Sequence, residues 1–312
     1  MYTVFDTNFY RLLASGRSTQ EVKEIMPAIL EAEKQKGIKS MQCTIVAQEL
    51  LSHLLDAGRG TNCTNACIAL YMHTGNSKEF RLIPLPEVQI AKMVFNIDWS
   101  QRIRTQETCG TILSELASTD NIAAVIAKYQ KELTQIKTYI HEVEETLAGG
   151  VETLFQTFDP TYKMGDLPFG KNKELRKKFL TFIDSYTFEQ ETIIGLLVSM
   201  AIILQQQGYT LSHPEDIPAR IRQVPFFYAS AMAFRRMYFK KFSSTAYDLR
   251  KDNHSNYIWD EYILSSLGNR INDEEISIVS SDGEMNRAMH DYDPKLKIMT
   301  KDEYLSYLGI TF

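Results

Sequence analysis

Apolar positions in the first hundred residues alternate between short runs and a helical period. Residues 2–5, Tyr-Thr-Val-Phe, read as a short apolar strand, and residues 9–14 continue as helix. Val22, Ile25, Met26, Ile29 and Leu30 then recur at the spacing of one helical face over 19–35, and Gly37 stops that helix. Residues 39–43 predict a second strand, Thr44 can cap a helix over 45–55, 80–83 predict a third strand closed by Pro84 and Pro86, and 87–95 return to helix. Strand and helix in turn predict an α/β sheet.

The middle of the chain loses this alternation. Ile112, Leu113, Leu116, Ile122, Val125, Ile126, Leu133, Ile136, Ile140 and Val143 form an apolar stripe along 105–147. Gly149-Gly150, Asp159-Pro160 and Leu167-Pro168 predict breaks, and further helices are expected over 173–185, 188–206 and 225–242. The tail resumes the mixed pattern: a strand at 276–279, helix over 286–290, a short strand at 297–300, and a closing helix 301–308 stopped by Gly309. The reading is one sheet-containing domain made of 1–97 and 251–312, interrupted by an all-helical insertion over 98–250. Long amphipathic helices need neighbours, so the insertion is expected to be a bundle.

Acids punctuate this pattern at four distant places: V4-F-D-T-N8, Q48-E-L50, W259-D-E261 and V279-S-S-D-G283. Each is read as setting a carboxylate where a strand ends or a helix begins. Asp6, Glu49, Asp260 and Asp282 are therefore candidate ligands of a hard divalent cation, which takes oxygen donors. Each has a plainer reading beside it. Asp6 can be a helix N-cap, Asp282 a turn residue, Glu49 an exposed helix position, and Asp260 competes with Glu261 for one face. Asn8 and Ser280 sit close enough in sequence to orient an acid, or to serve local turns.

The opening strand ending in Asp6-Thr-Asn8 and the later strand followed by Ser280-Ser-Asp282-Gly resemble the PIN-domain nucleases. The order strand, acid, helix, strand, helix at the tail resembles that family too, over about half of the chain. This resemblance implies a PIN-like three-layer α/β fold with a mainly parallel sheet and a cation-dependent endoribonuclease using Mg²⁺ or Mn²⁺. It further implies that Asp6, Glu49, Asp260 and Asp282 are the metal-binding and catalytic acids, with Asn8 and Ser280 supporting them. The substrate expected is nucleic acid, with RNA favoured over DNA because the family acts mostly on RNA. A toxin or defence effector held by an inhibitory or activating protein partner is compatible with it, as is an oligomer. The alternative is an inactive PIN-like module that binds nucleic acid or protein without turnover.

Charge modifies this expectation. The chain carries a net charge of -5, which argues against a polyanionic partner, yet 217–247 contains no acid. There Arg220, Arg222, Arg235, Arg236, Lys240 and Lys241 interleave with Phe226, Phe227, Tyr228, Phe234, Tyr238, Phe239 and Phe242. Cations for phosphates and rings for bases are what single-strand binding needs, so Arg235, Arg236, Lys240 and Lys241 are candidate substrate-binding residues. A buried aromatic face with a solvated basic face is the competing reading. Lys171, Lys173, Arg176, Lys177 and Lys178 form a second basic cluster.

Cys43, Cys63, Cys67 and Cys109 lack a zinc spacing and are expected as packed thiols in a reducing compartment. The six histidines are isolated. No basic start followed by an apolar run opens the chain, and the apolar stretch 193–204 is interrupted by Gly195 and Ser199, so it is expected as a buried helix of a cytoplasmic protein with no membrane anchor.

Overall fold

The computed structural model describes residues 1–56, 60–75, 82–211, 219, 230–251, 256–265, 270–271, 274–292 and 298–311. It divides into two compact units. The first comprises Met1–Leu85, Ser100–Ile140 and Asn269–Phe312, and the second Pro86–Trp99 and His141–Gly268. These limits differ from the expected insertion over 98–250. The helical residues 100–140 pack with the sheet, and residues 86–99 and 251–268 belong with the helical unit.

The first unit is mixed α/β. Its strands are β1 (Tyr2–Phe5), β2 (Lys39–Cys43), β3 (Leu82–Ile83), β4 (Arg270–Ile271), β5 (Glu274–Val279) and β6 (Ile298–Met299). The hydrogen-bonded order is β3-β2-β1-β5, with β4 and β6 both joining β5. All pairings are parallel except β4 with β5. β1 lies at the centre, with Val4 opposite Met41 on one side and Ile278 on the other. Every residue of β1 is buried, as a parallel strand covered on both faces requires. Its one polar residue, Thr3, is satisfied across the ladder by the Ser277 hydroxyl at 2.9 Å.

Between β1 and β2 run α1 (Thr7–Ala14) and α2 (Thr19–Gln35). A capping box between Ser18 and Glu21 starts α2. Then α3 (Thr44–Ser52) and α4 (Gly60–Leu70) lead, through a π-helical turn at Tyr71–Gly75, to β3. Helix α4 packs against α1, α2 and α3, and its Ala66, Cys67 and Ala69 are fully buried. All four cysteines are buried thiols.

The second unit is helical. It holds α5 (Pro86–Phe95), the later part of the long helix Gln130–Phe158, the helices Lys173–Ile183, Tyr186–Gln206, Ser230–Phe242 and Asn256–Leu264. Gly149-Gly150 does not break the long helix, contrary to the sequence expectation. Two helical glycines cost about 2 kcal/mol relative to alanine. Burial of Ala148, Val151 and Phe155 around them offsets it. The predicted stripe over 105–147 is instead divided into Ser100–Ser118, Ile122–Lys128 and the long helix, with Asn121 capping the second piece through Ala124 N–H.

Helix Tyr186–Gln206 is buried on one face only. Ile193, Leu197, Met200 and Leu204 pack on Ile90, Val94 and Phe95 of α5, whereas Ile194, Val198, Ile202 and Ile203 are exposed. The expected fully buried helix is therefore half right. Among the described residues it is the one helix long and apolar enough to cross a membrane by length and composition.

Candidate active site at the carboxyl ends of the central strands

In an open sheet of this kind, ligands sit beyond the carboxyl ends of the strands, where the strand order reverses. Here the reversal falls between β1 and β5, because the chain leaves β1 towards β2 while β5 lies on the other side. Asp6 follows β1 directly, and Ser280-Ser281-Asp282 follow β5. Topology thus brings together two acids that are 276 positions apart in number.

Asp6 combines two duties. Its Oδ1 accepts the Phe9 N–H at 2.7 Å and so caps α1, while Oδ2 accepts the Ser280 hydroxyl at 2.5 Å. The Asp6 N–H also donates to Val279 O at 3.0 Å, locking the acid to the end of β5. The Ser280 hydroxyl in turn accepts the Asp282 N–H at 3.0 Å. Asp282 Oδ1 accepts from Glu284 N and Met285 N at 2.8 and 2.7 Å, which starts the helix Gly283–Tyr292, and its Oδ2 accepts nothing from a described residue. The plainer readings of both aspartates as caps are thus correct for one oxygen each.

Glu49 comes from α3, a helix buried on every side. Its Oε2 accepts the Thr7 hydroxyl at 2.5 Å, and its Oε1 lies 3.2 Å from the Arg11 guanidinium. It is buried, not an exposed helix position. Burial pushes the Asp6 carboxyl up to about 6; the hydrogen bonds from Ser280 and Phe9 N pull it back, and the charges of Glu49 and Asp282 raise it further. Asp6 therefore feels the charges of both Glu49 and Asp282 at this strand end.

The donor chemistry, all carboxylate oxygen, suits a hard cation. The arrangement is not closed upon one: among the described residues no three His, Cys, Asp or Glu side chains stand together as a ready cation site. Glu49 is occupied by Thr7 and Arg11, and both Asp6 oxygens hold hydrogen bonds. Asp260 lies in the second unit, buried on helix Asn256–Leu264.

Asn8 makes no hydrogen bond to Asp6; it lines an open cavity of about 530 Å³ with Arg11, Ser15, His53, Asn62 and Ser281. The sequence reading passed over three of the residues that shape this region. Thr7 lies inside the Asp-Thr-Asn motif, and Arg11 follows it by one helical turn. His53 gains a role only in three dimensions, where Asp56 Oδ2 holds its Nδ1 at 2.8 Å and Lys137 holds the other Asp56 oxygen.

Each member of the expected substrate-binding set has a partner in the second unit. Arg235, with its side chain only 15% exposed, is engaged through two nitrogens by Glu261, which also accepts the Tyr238 hydroxyl at 2.8 Å. Arg236 donates to Ile183 O, Ser185 O and Glu189, Lys240 pairs with Asp184 at 2.7 Å, and Lys241 donates to the Tyr257 hydroxyl. Phe234, Tyr238, Phe239 and Phe242 are buried, and Phe239 packs edge-on to Phe155, Phe179 and Phe188. These rings form a core, Arg235 and Arg236 tie its helices together, and Lys240 keeps a half-exposed side chain beside Asp184. Arg220, Arg222, Phe226, Phe227 and Tyr228 lie outside the described residues. A buried ion pair of this kind is commonly replaceable by apolar side chains of like volume. Replacing Arg235 by Met together with Glu261 by Leu is expected to leave stability within about 1 kcal/mol of wild type or to raise it, as read by urea denaturation.

Comparison with protein-family models, with curated proteins and with solved structures gives no match to this chain.

Proposed function

We propose that this chain is a divalent-cation-dependent phosphodiesterase of the PIN-like nuclease type, with RNA as its favoured substrate and Mg²⁺ or Mn²⁺ as its cation. The observation that supports the proposal is the joining of Asp6 through Ser280 to the Asp282 segment at the strand-order reversal, where the Asp6 carboxyl is pushed up to about 6 and feels the charges of Glu49 and Asp282. Clustered buried carboxylates repel one another, and a divalent cation is the natural relief. Asp6 and Asp282 would hold it, with Glu49 completing the set. Ser280 keeps one Asp6 oxygen oriented, and Asp282 keeps Oδ2 clear of the described backbone donors. When bound, the cation supplies an activated water and charge relief on the phosphorus transition state. Asp260 enters only as the fourth acid that the sequence resemblance implies, and RNA rests on that resemblance as well.

A second reading, an inactive nucleic-acid-binding or protein-interaction module, has support of its own in the Arg11–Glu49 pair, which already neutralises one acid. Cleavage separates the two. Mn²⁺-dependent cutting of single-stranded RNA, lost in Asp6→Asn and in Asp282→Asn, is expected; RNA left intact by the folded wild-type protein across Mg²⁺ and Mn²⁺ favours the inactive module.

A further inference from the structure

Arg11 stands between an acid and a cavity. One side of its guanidinium lies 3.2 Å from Glu49 Oε1, and Glu49 is its one charged partner among the described residues. The same side chain, 31% exposed, lines the cavity of about 530 Å³ described above. The described lining of that cavity offers amide groups from Asn8 and Asn62, hydroxyls from Ser15 and Ser281 and the His53 imidazole, and no carboxylate. Leu12 and Cys63 complete the described lining; the hydrogen-bonding groups beside one guanidinium suit an oxygen-rich monoanion, which is what a phosphodiester is.

Glu49 cannot serve a guanidinium and a divalent cation at the same oxygens without setting two positive charges against each other. We propose that Arg11 exchanges partners: it holds Glu49 in the cation-free protein, and it turns into the adjoining cavity to bind a phosphodiester oxygen when a divalent cation takes Glu49. The exchange rests on the cation-dependent reading of the three acids. Arg11 is a positioning residue in this scheme until the cation arrives and a substrate ligand afterwards.

The exchange makes cation and phosphodiester binding mutually reinforcing, because linkage requires each to tighten the other by the same factor. Mn²⁺ binding followed by electron paramagnetic resonance, with and without a deoxyribose dinucleoside phosphodiester, tests it on the full chain. In Arg11→Gln, Mn²⁺ alone should bind about fivefold more tightly than in wild type, since a partly exposed ion pair is no longer competing. The dinucleotide should tighten Mn²⁺ binding in wild type and do so less in Arg11→Gln. Arg11→Lys retains the competing charge and should stay near wild type for Mn²⁺ alone. Arg11→Gln that is folded by circular dichroism and binds Mn²⁺ no more tightly than wild type overturns the exchange. Should Arg11→Gln fail to fold, Arg11→Lys decides: loss of the dinucleotide effect there, with Mn²⁺ affinity kept, supports a guanidinium–phosphate contact, and an unchanged effect overturns it. If wild type binds no Mn²⁺ that Asp6→Asn abolishes, the cation-dependent reading fails first, and the exchange with it.

Discussion

Asp6→Asn should be more stable than the wild-type protein at pH 7.5, by about 2 kcal/mol, while the proposed cation-dependent activity should fall by more than about a hundredfold. The first effect follows from the raised Asp6 pKa of about 6 against an ordinary value of 3.8. A carboxyl that binds its proton more tightly when folded contributes stability as the pH falls through that folded value. Between pH 7 and pH 5 the wild-type protein should therefore gain about 1.4 kcal/mol from this group. Above pH 7 the buried charge is a cost, and asparagine removes it while keeping an oxygen for the Phe9 N–H. The gap between variant and wild type should close towards pH 4. Chemical denaturation across that range measures it, and a variant that is less stable than wild type at pH 7.5 refutes the burial argument. Added Mn²⁺ should restore part of the difference to wild type alone, because a ligand that binds only the folded state stabilises it by mass action.

Stability given up at a strand end to bury a carboxylate is what a site of this kind would cost a fold. Neither Asp6 nor Asp282 is placed badly as a local structure element: each caps the helix that follows it. The cost lies first in the burial of Asp6, to which the charges of Glu49 and Asp282 add. It is offset elsewhere by a fully buried central strand and by the ladder that joins β1 to β5 over four residue pairs.

How much of this was legible in the sequence depends on whether the deciding interaction is local. Helix α2 is legible from its apolar stripe and the Gly37 stop, and the strands β1 and β5 from their short apolar runs. The pairing of Asp6 with the Ser280-Ser-Asp282 segment was reached through motif resemblance. Periodicity carries no information about which strands become neighbours. The basic aromatic segment leaves two readings open in the sequence because charge polarity looks the same whether cations face solvent or facing helices. The acids that engage them, Asp184, Glu189 and Glu261, come from other helices. The two-residue strand β4 and the joining of residues 100–140 to the sheet unit left no local mark, since both are settled by tertiary contact.

One signal stood in the sequence and was passed over. The buried stripe Val22, Met26, Ile29 of α2 continues at the next helical step to Glu33, a carboxylate on an apolar face. In the fold Glu33 is the hub of a buried network. Its Oε1 meets His73 Nε2 at 2.7 Å and accepts the Tyr304 hydroxyl, its Oε2 accepts the Ser40 hydroxyl at 2.7 Å, and His73 Nδ1 meets the Tyr10 hydroxyl at 3.0 Å. Phe5 and Phe9 pack on the same imidazole. The network links α1, α2, β2, the π-helical turn and the closing helix Lys301–Leu308, bringing residues from both ends of the chain into one set of contacts. Burial pushes the Glu33 carboxyl up, but the charge of His73 and the hydrogen bonds from His73, Tyr304 and Ser40 outweigh it, so the group lies below the ordinary carboxylate range. With that sign, Glu33 contributes stability above its unfolded value of 4.5 and loses the contribution as the pH drops through its lower folded value, the reverse of Asp6.

Removing the hub should be costly, because Glu33→Ala strands three buried polar partners and leaves a cavity. Losing one member of a buried charged pair typically costs about 3–5 kcal/mol. Glu33→Gln keeps the shape and some of the hydrogen bonds, so it should cost less, while Tyr304→Phe removes one donor and should cost about 1 kcal/mol. Denaturation midpoints of the three variants are expected in the order Tyr304→Phe, Glu33→Gln, Glu33→Ala, from most to least stable. A Glu33→Ala protein within 1 kcal/mol of wild type, on the order of a single ordinary hydrogen bond, would show that the network is carried by its aromatic packing and not by the carboxylate.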